Sequence, residues 1–141
     1  MLGLWRDTHA KKSLDRVLIV EDDALLAMAI EEALADAGVQ HVTTCATADE
    51  ALHALDAVDA IVLDVHLADR DDGWALAELV AMLGSPRPRI VFSTGTPEDI
   101  PARIAEMGPV FAKPYNPALL VKALMGEPHT GLIARWRGGA G

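Results

Sequence analysis

The sequence predicts an α/β fold, a doubly wound, five-stranded parallel sheet with helices on both faces. Three observations carry that prediction. Short aliphatic runs alternate five times with stretches of helical spacing. The runs are apolar throughout, as in strands covered on both sides. The composition also fits, since 141 residues are enough for one domain, and 51% are apolar with only 4% aromatic. The core must therefore be aliphatic.

Val17-Leu18-Ile19-Val20 is a β-branched run halted by Glu21-Asp22-Asp23 and reads as the first, buried strand. Leu26, Ile30, Ala33, Leu34 and Ala37 then fall at helical spacing, and Gly38 supplies the stop. Val39 to Cys45 is the second strand. Thr47 is the expected N-cap of a helix with the stripe Ala48, Ala51, Leu52 and Leu55. Ala60-Ile61-Val62-Leu63 is the third strand, closing on Asp64. A polar loop runs to Gly73, and Leu76, Leu79, Val80 and Leu83 mark the next helix. Arg89 to Ser93 is the fourth strand. Pro97 to Met107 is a short helical piece interrupted by Pro101. Val110-Phe111-Ala112 is the fifth strand, and Pro117 to Met125 the last helix. Alternation of this kind implies parallel strands joined by right-handed crossovers.

The net charge is −9, unevenly spread. Residues 1–16 carry +2 and residues 127–141 carry +1, which leaves −12 on the body. A basic nucleic-acid footprint is excluded for that body. No apolar run approaches the ~20 residues of a membrane span, and no signal-peptide stretch follows Met1. The single cysteine, Cys45, excludes an internal disulfide and fits a reducing compartment. A cytoplasmic protein with neither membrane nor nucleic-acid partner is expected. It divides into an N-terminal tail (1–15), one domain (16–126) and a C-terminal tail (127–141) with the composition of a flexible segment. Trp5 and Trp136 lie outside the core pattern.

In doubly wound sheets, ligands bind beyond the carboxyl ends of the strands. Those ends carry Glu21, Asp22 and Asp23 after the first strand, Asp64 after the third, Thr94 and Gly95 after the fourth, and Lys113 and Pro114 after the fifth. With strands ordered 2-1-3-4-5, the first and third are neighbours, so Asp22 and Asp64 approach each other. Like charges that close call for a cation, and a hard divalent ion such as Mg²⁺ takes oxygen ligands. The chemistry that suits the set is phosphoryl transfer to a carboxylate, with a lysine and a threonine hydroxyl on the remaining phosphoryl oxygens. Alone, Asp64 would read as a loop or capping aspartate. In register with an acid pair, a hydroxyl and a lysine, it reads as a phosphoacceptor.

Four fragments in order, Val17-Leu18-Ile19-Val20-Glu21-Asp22-Asp23, Val62-Leu63-Asp64-Val65-His66-Leu67, Phe92-Ser93-Thr94-Gly95 and Ala112-Lys113-Pro114-Tyr115, resemble the receiver domain of two-component response regulators. The resemblance spans roughly residues 16–126. It implies a flavodoxin-like sheet of order 2-1-3-4-5, Asp64 as phosphoacceptor, and Thr94 and Lys113 as the switch hydroxyl and phosphoryl-binding lysine. It further implies that Mg²⁺ is held by Glu21, Asp22 and Asp64, with Asp22 the direct ligand of the acid pair and His66 giving a backbone carbonyl. Asp23 is expected only to cap the first helix. The segment Phe92-Ser93-Thr94-Gly95-Thr96 partly resembles a subgroup of single-domain receivers with a Phe-Ala-Thr-Gly signature and a degenerate fourth helix. The chain departs from the wider family at Val110, where an aromatic switch residue is common, and lacks the common proline after the phosphoacceptor.

The five histidines have no metal spacing, so a zinc site is not expected, and Cys45 is expected in the core. The leading function is a stand-alone response regulator, not an enzyme acting on small molecules. It would be charged by a sensor histidine kinase or histidine phosphotransfer protein, and would act as a monomer or weak dimer. Its output would be contact with a downstream protein, or service as a phosphate sink. With Val110 unable to act as an aromatic switch, that output is expected through residues 94–107. The alternatives are a small Asp-nucleophile phosphatase, whose acid/base would have to be the distant Asp69, and a non-phosphorylated interaction module.

Overall fold

A computed structural model describes residues 14–66, 73–83 and 87–126. The elements run β1 (Arg16–Val20), α1 (Ala24–Asp36), β2 (His41–Cys45), α2 (Ala48–Ala54), β3 (Ala60–Asp64), α3 (Gly73–Met82), β4 (Arg89–Thr94), a 3₁₀ turn (Pro97–Asp99), α4 (Ala102–Ala105), β5 (Val110–Ala112) and α5 (Pro117–Leu124). The sheet has five strands in the order β2-β1-β3-β4-β5, every pair parallel. The predicted fold class and strand order are those observed.

Alternation along the strands splits the interior into two apolar layers. Leu18, Val20, Ile61, Leu63, Ile90 and Phe92 face one way and pack under α2, α3 and α4. Val17, Ile19, Ala60, Val62, Val91 and Phe111 face the other way and pack under α1 and α5. Each helix buries one narrow stripe. On α1 it is Ala27, Ile30 and Leu34, with Leu26 and Ala33 at its margin, while Ala37 is exposed. On α3 it is Leu76, Ala77 and Val80, whereas Leu79 and Leu83, expected in the stripe, are exposed. Leu52 on α2 is exposed as well, and Leu55 lies just past that helix, half-buried.

The caps follow the sequence. Asp23 accepts hydrogen bonds from the Leu25 and Leu26 amides. Thr47 accepts from the Glu50 amide, and Glu50 in turn accepts from the Ala46 amide. Asn116 accepts from the Ala118 amide, with Pro117 in the first turn. Helix α1 ends at Gly38, whose φ of +94° lies in the left-handed region. There the Val39 amide bonds back to the Leu34 carbonyl. That turn uses Val39 as a buried cap contact, so β2 starts at His41 and not at Val39 as expected.

The segment after β4 is short and broken. A 3₁₀ turn of three residues gives way at Ile100 to extended backbone (ψ 123°) before Pro101, and α4 has four residues. Proline removes an amide and pushes its predecessor out of the helical region, which accounts for the break. Cys45 is buried, and burial, helped by Glu50, pushes its thiol pKa up. No described helix is long and apolar enough to cross a membrane. Both tails beyond the described range, with Trp5 and Trp136, and the acidic loop 67–72 with Asp69, lie outside the described residues.

Candidate functional site

The site is built where β1, β3, β4 and β5 end. Val20 pairs with Leu63, so Glu21, the residue just past β1, comes beside Asp64, the last residue of β3. Asp64 pairs with Ser93, which sets Thr94 one step further along β4. Thr94 in turn pairs with Ala112, the residue before Lys113. Four strand ends thus deliver their polar side chains to one edge of the sheet.

Carboxylate oxygens of Glu21, Asp22 and Asp64 all lie within 4.8 Å of one another. Glu21 and Asp64 are each only 2% exposed, while Asp22 faces solvent. The Lys113 ammonium sits between the two buried acids, 3.2 Å from Glu21 Oε2 and 3.2 Å from Asp64 Oδ2. Asp64 Oδ1 accepts from the His66 amide at 2.9 Å, and Glu21 Oε2 accepts from the Asp23 amide at 3.1 Å. Glu21 Oε1 is buried with no hydrogen-bond partner among the described residues.

The electrostatics follow from that crowding. Burial, reinforced by the neighbouring Asp64 carboxylate, pushes the Glu21 pKa up to about 7 against the opposing pull of the Asp23 amide and Lys113. Burial alone would lower Lys113, but the Asp64 and Glu21 carboxylates outweigh it and hold its pKa above the ordinary lysine value. Among the described residues the site is an acidic pocket with one internal counter-ion, Lys113, and one carboxylate oxygen without a hydrogen-bond partner. Three clustered carboxylates and an unsatisfied lone pair fit a hard divalent cation with oxygen ligands.

Thr94 is fully buried, and its Oγ1 accepts from the Thr96 amide at 3.0 Å. The ring of His66 is engaged away from the acids, with Nε2 2.9 Å from Thr96 Oγ1 and the imidazole edge-on to Trp74. A chain of contacts therefore runs from Asp64 through His66 and Thr96 to Thr94. Thr96 and Trp74 were not among the site residues expected from sequence. The only available signal for Thr96 was its position two residues after Thr94. Val110 is buried in the layer beneath α2, α3 and α4. A second hydroxyl pair, Ser93 Oγ and Tyr115 Oη at 2.8 Å, lies beside the site and was likewise not anticipated.

Residues 17–125 match the family model described as the response regulator receiver domain. No curated protein matches the sequence. Among solved structures, the chain is similar to a CheY-like response regulator receiver domain from Methylobacillus flagellatus. The two are 25% identical with a TM-score of 0.68, over 81% of this chain and 98% of that one. It is also similar to SdrG from Sphingomonas melonis Fr1, at 32% identity and a TM-score of 0.67, over 80% and 95% of the two chains. The chemotaxis response regulator CheY4 of Vibrio cholerae is 28% identical with a TM-score of 0.66, over 79% and 97%.

Proposed function

The chain belongs to the response regulator receiver domain family, and from that premise we propose that it accepts a phosphoryl group on Asp64 from a sensor histidine kinase or a histidine phosphotransfer protein. The observation that carries the reading is the Lys113 ammonium held 3.2 Å from Asp64 Oδ2, on an edge where Glu21 and Asp22 complete an acidic cluster.

An oxygen of the Asp64 carboxylate attacks phosphorus in line. The new O–P bond forms as the N–P bond of the phosphohistidine breaks, and the imidazole leaves neutral, keeping the bonding pair on the released nitrogen and its proton on the other. The product is an acyl phosphate. Lys113 pairs with a phosphoryl oxygen, and the Thr94 hydroxyl, whose oxygen accepts from the Thr96 amide, donates its proton to another. Asp22 and Asp64, with Glu21 and the His66 carbonyl, would hold Mg²⁺. When bound, the ion supplies charge neutralisation for the phosphoryl oxygens. Attack of water on phosphorus returns the carboxylate and inorganic phosphate, so the domain limits its own signal without acting as an enzyme on other substrates.

Leu25 and Met28 stand 79% and 60% exposed on the first two turns of α1, directly after the acid pair. They offer apolar surface for the phosphodonor protein to cover. The broken segment between β4 and β5 supports placement with the single-domain receivers of the Phe-Ala-Thr-Gly type. Output then passes by contact with a downstream protein through residues 94–107, β5 and α5, in the cytoplasm. The test is labelling with phosphoramidate and Mg²⁺. Wild type becomes phosphorylated and Asp64→Asn does not. Undiminished labelling of Asp64→Asn overturns the reading.

A further inference from the structure

We propose that Ser93 and Tyr115 form a positioning pair that sets the Lys113 ammonium against Asp64, a role that rests on the reading of Asp64 as phosphoacceptor. The Lys113 amide donates to the Thr94 carbonyl at 2.8 Å. Two residues on, Tyr115 Oη lies 2.8 Å from Ser93 Oγ. The short segment that carries Lys113 is therefore fastened at both ends to consecutive residues of β4. Alternation along the strand puts Ser93 on the same face as Val91, in the layer with Phe111 and Tyr115, so one fastening is a backbone bond in the plane of the sheet and the other a side-chain bond on its α1/α5 face.

The pair is built into the interior. Ser93 is fully buried, and a buried hydroxyl without a partner is costly. The Tyr115 ring stands edge-on to Phe111 with centroids 5.7 Å apart, which fixes its plane. Burial pushes the Tyr115 hydroxyl pKa up to about 12, partly offset by the Ser93 bond, so the phenol stays protonated at physiological pH. Lysine has a flexible four-carbon stem, and its ammonium meets two acids at 3.2 Å only while its backbone is held in place. Tyr115 acts through Lys113 and touches no reacting atom.

The experiment compares the 141-residue wild-type chain with Tyr115→Phe, Ser93→Ala and the double variant. It reads the rate of phosphoramidate labelling and, separately, Mg²⁺ affinity. Tyr115→Phe keeps the ring and its Phe111 contact. Loss of one positioning hydrogen bond is expected to slow labelling about fivefold. Mg²⁺ affinity should stay unchanged, because the acids that hold the ion are not moved. Ser93→Ala should match it from the other partner, and the double variant should be no slower than either single one. Labelling of Tyr115→Phe at the wild-type rate overturns the inference. So does a parallel fall in Mg²⁺ affinity, which would mean general loosening, and so do additive losses or a Tyr115→Phe chain that fails to fold. If wild type is not labelled, or Asp64→Asn is labelled, the phosphoacceptor reading falls and this inference with it. A labelled wild type with an unaffected Tyr115→Phe removes the inference alone.

Discussion

The two ends of the sheet use the same chemical group to opposite effect. At the amino ends of the strands, Asp59 Oδ2 accepts from the Asp15 and Arg16 amides, both at 2.9 Å, and closes the entry to β1. The Asp59 amide donates to the Arg16 carbonyl, and the Arg89 amide donates to the Asp59 carbonyl. Arg89 reaches across to the Leu124 carbonyl at the end of α5. At the carboxyl ends, Glu21, Asp22 and Asp64 crowd together with one lysine for company, and Glu21 Oε1 has no described partner. One end satisfies its carboxylate with backbone donors, whereas the other keeps its carboxylates under mutual repulsion. The first arrangement serves stability, and the second gathers three carboxylates that could hold a cation.

That contrast can be broken at the stable end most severely. Gly108 leads into β5 so close to β4 that a Cβ there would lie 1.9 Å from the Ile90 carbonyl oxygen. Gly108→Ala should cost about 3 kcal/mol, read as a fall in the chemical-denaturation midpoint. A neutral substitution would mean that the β4–β5 edge is softer than its geometry.

At the strained end, a carboxyl group whose folded pKa is raised binds more protons folded than unfolded. Glu21 should therefore stabilise the apo protein most at low pH, and that contribution should be lost as pH rises from its unfolded value of 4.5 to about 7. The expected loss is about 3 kcal/mol, and Glu21→Gln should flatten it. A wild-type profile as flat as that of Glu21→Gln would contradict the crowding. Next in size, Asp22→Ala should weaken Mg²⁺ binding about tenfold while leaving the apo protein as stable or slightly more so. Unchanged affinity would remove Asp22 from the ligand set. The smallest effect belongs to Asp59→Ala. Its carboxylate is exposed, and water replaces much of what is lost, so about 1 kcal/mol of destabilisation is expected in the same denaturation assay.

The inner strands β1 and β3 were legible because both faces are covered, so each is a continuous aliphatic run, Val17–Val20 and Ala60–Leu63, whereas the edge strand β2 is largely exposed and carries His41, Thr43 and Thr44. Helix stripes were legible to within a residue or two. Leu79 and Leu83 are spaced like core residues, but α3 fills its contact with Leu76, Ala77 and Val80, and no periodicity count separates those sets. The start of β2 was missed because Val39 is spent on the turn around Gly38. In the site, Glu21, Asp22, Asp64, Thr94 and Lys113 announced themselves because each closes a strand. The Ser93–Tyr115 and His66–Thr96 contacts join residues 22 and 30 positions apart. Such pairs arise from how strand ends splay in space and leave no period in the chain. The one visible hint was a serine following the apolar run Ile90–Phe92 while still within β4.

The two apolar layers have a consequence for how such a chain can change over time. Residues 17, 19, 60, 62 and 91 answer to α1 and α5, and residues 18, 20, 61, 63, 90 and 92 answer to α2, α3 and α4. The strand backbones separate the two sets, so a bulkier side chain on one side is accommodated by neighbours on that side. Drift on one face need not be repaired on the other. The helical coats are in that sense separately inheritable. A lineage can refashion the packing of α1 and α5 while that of α2 to α4 stays as it was, with the strand-end carboxylates common to both layers.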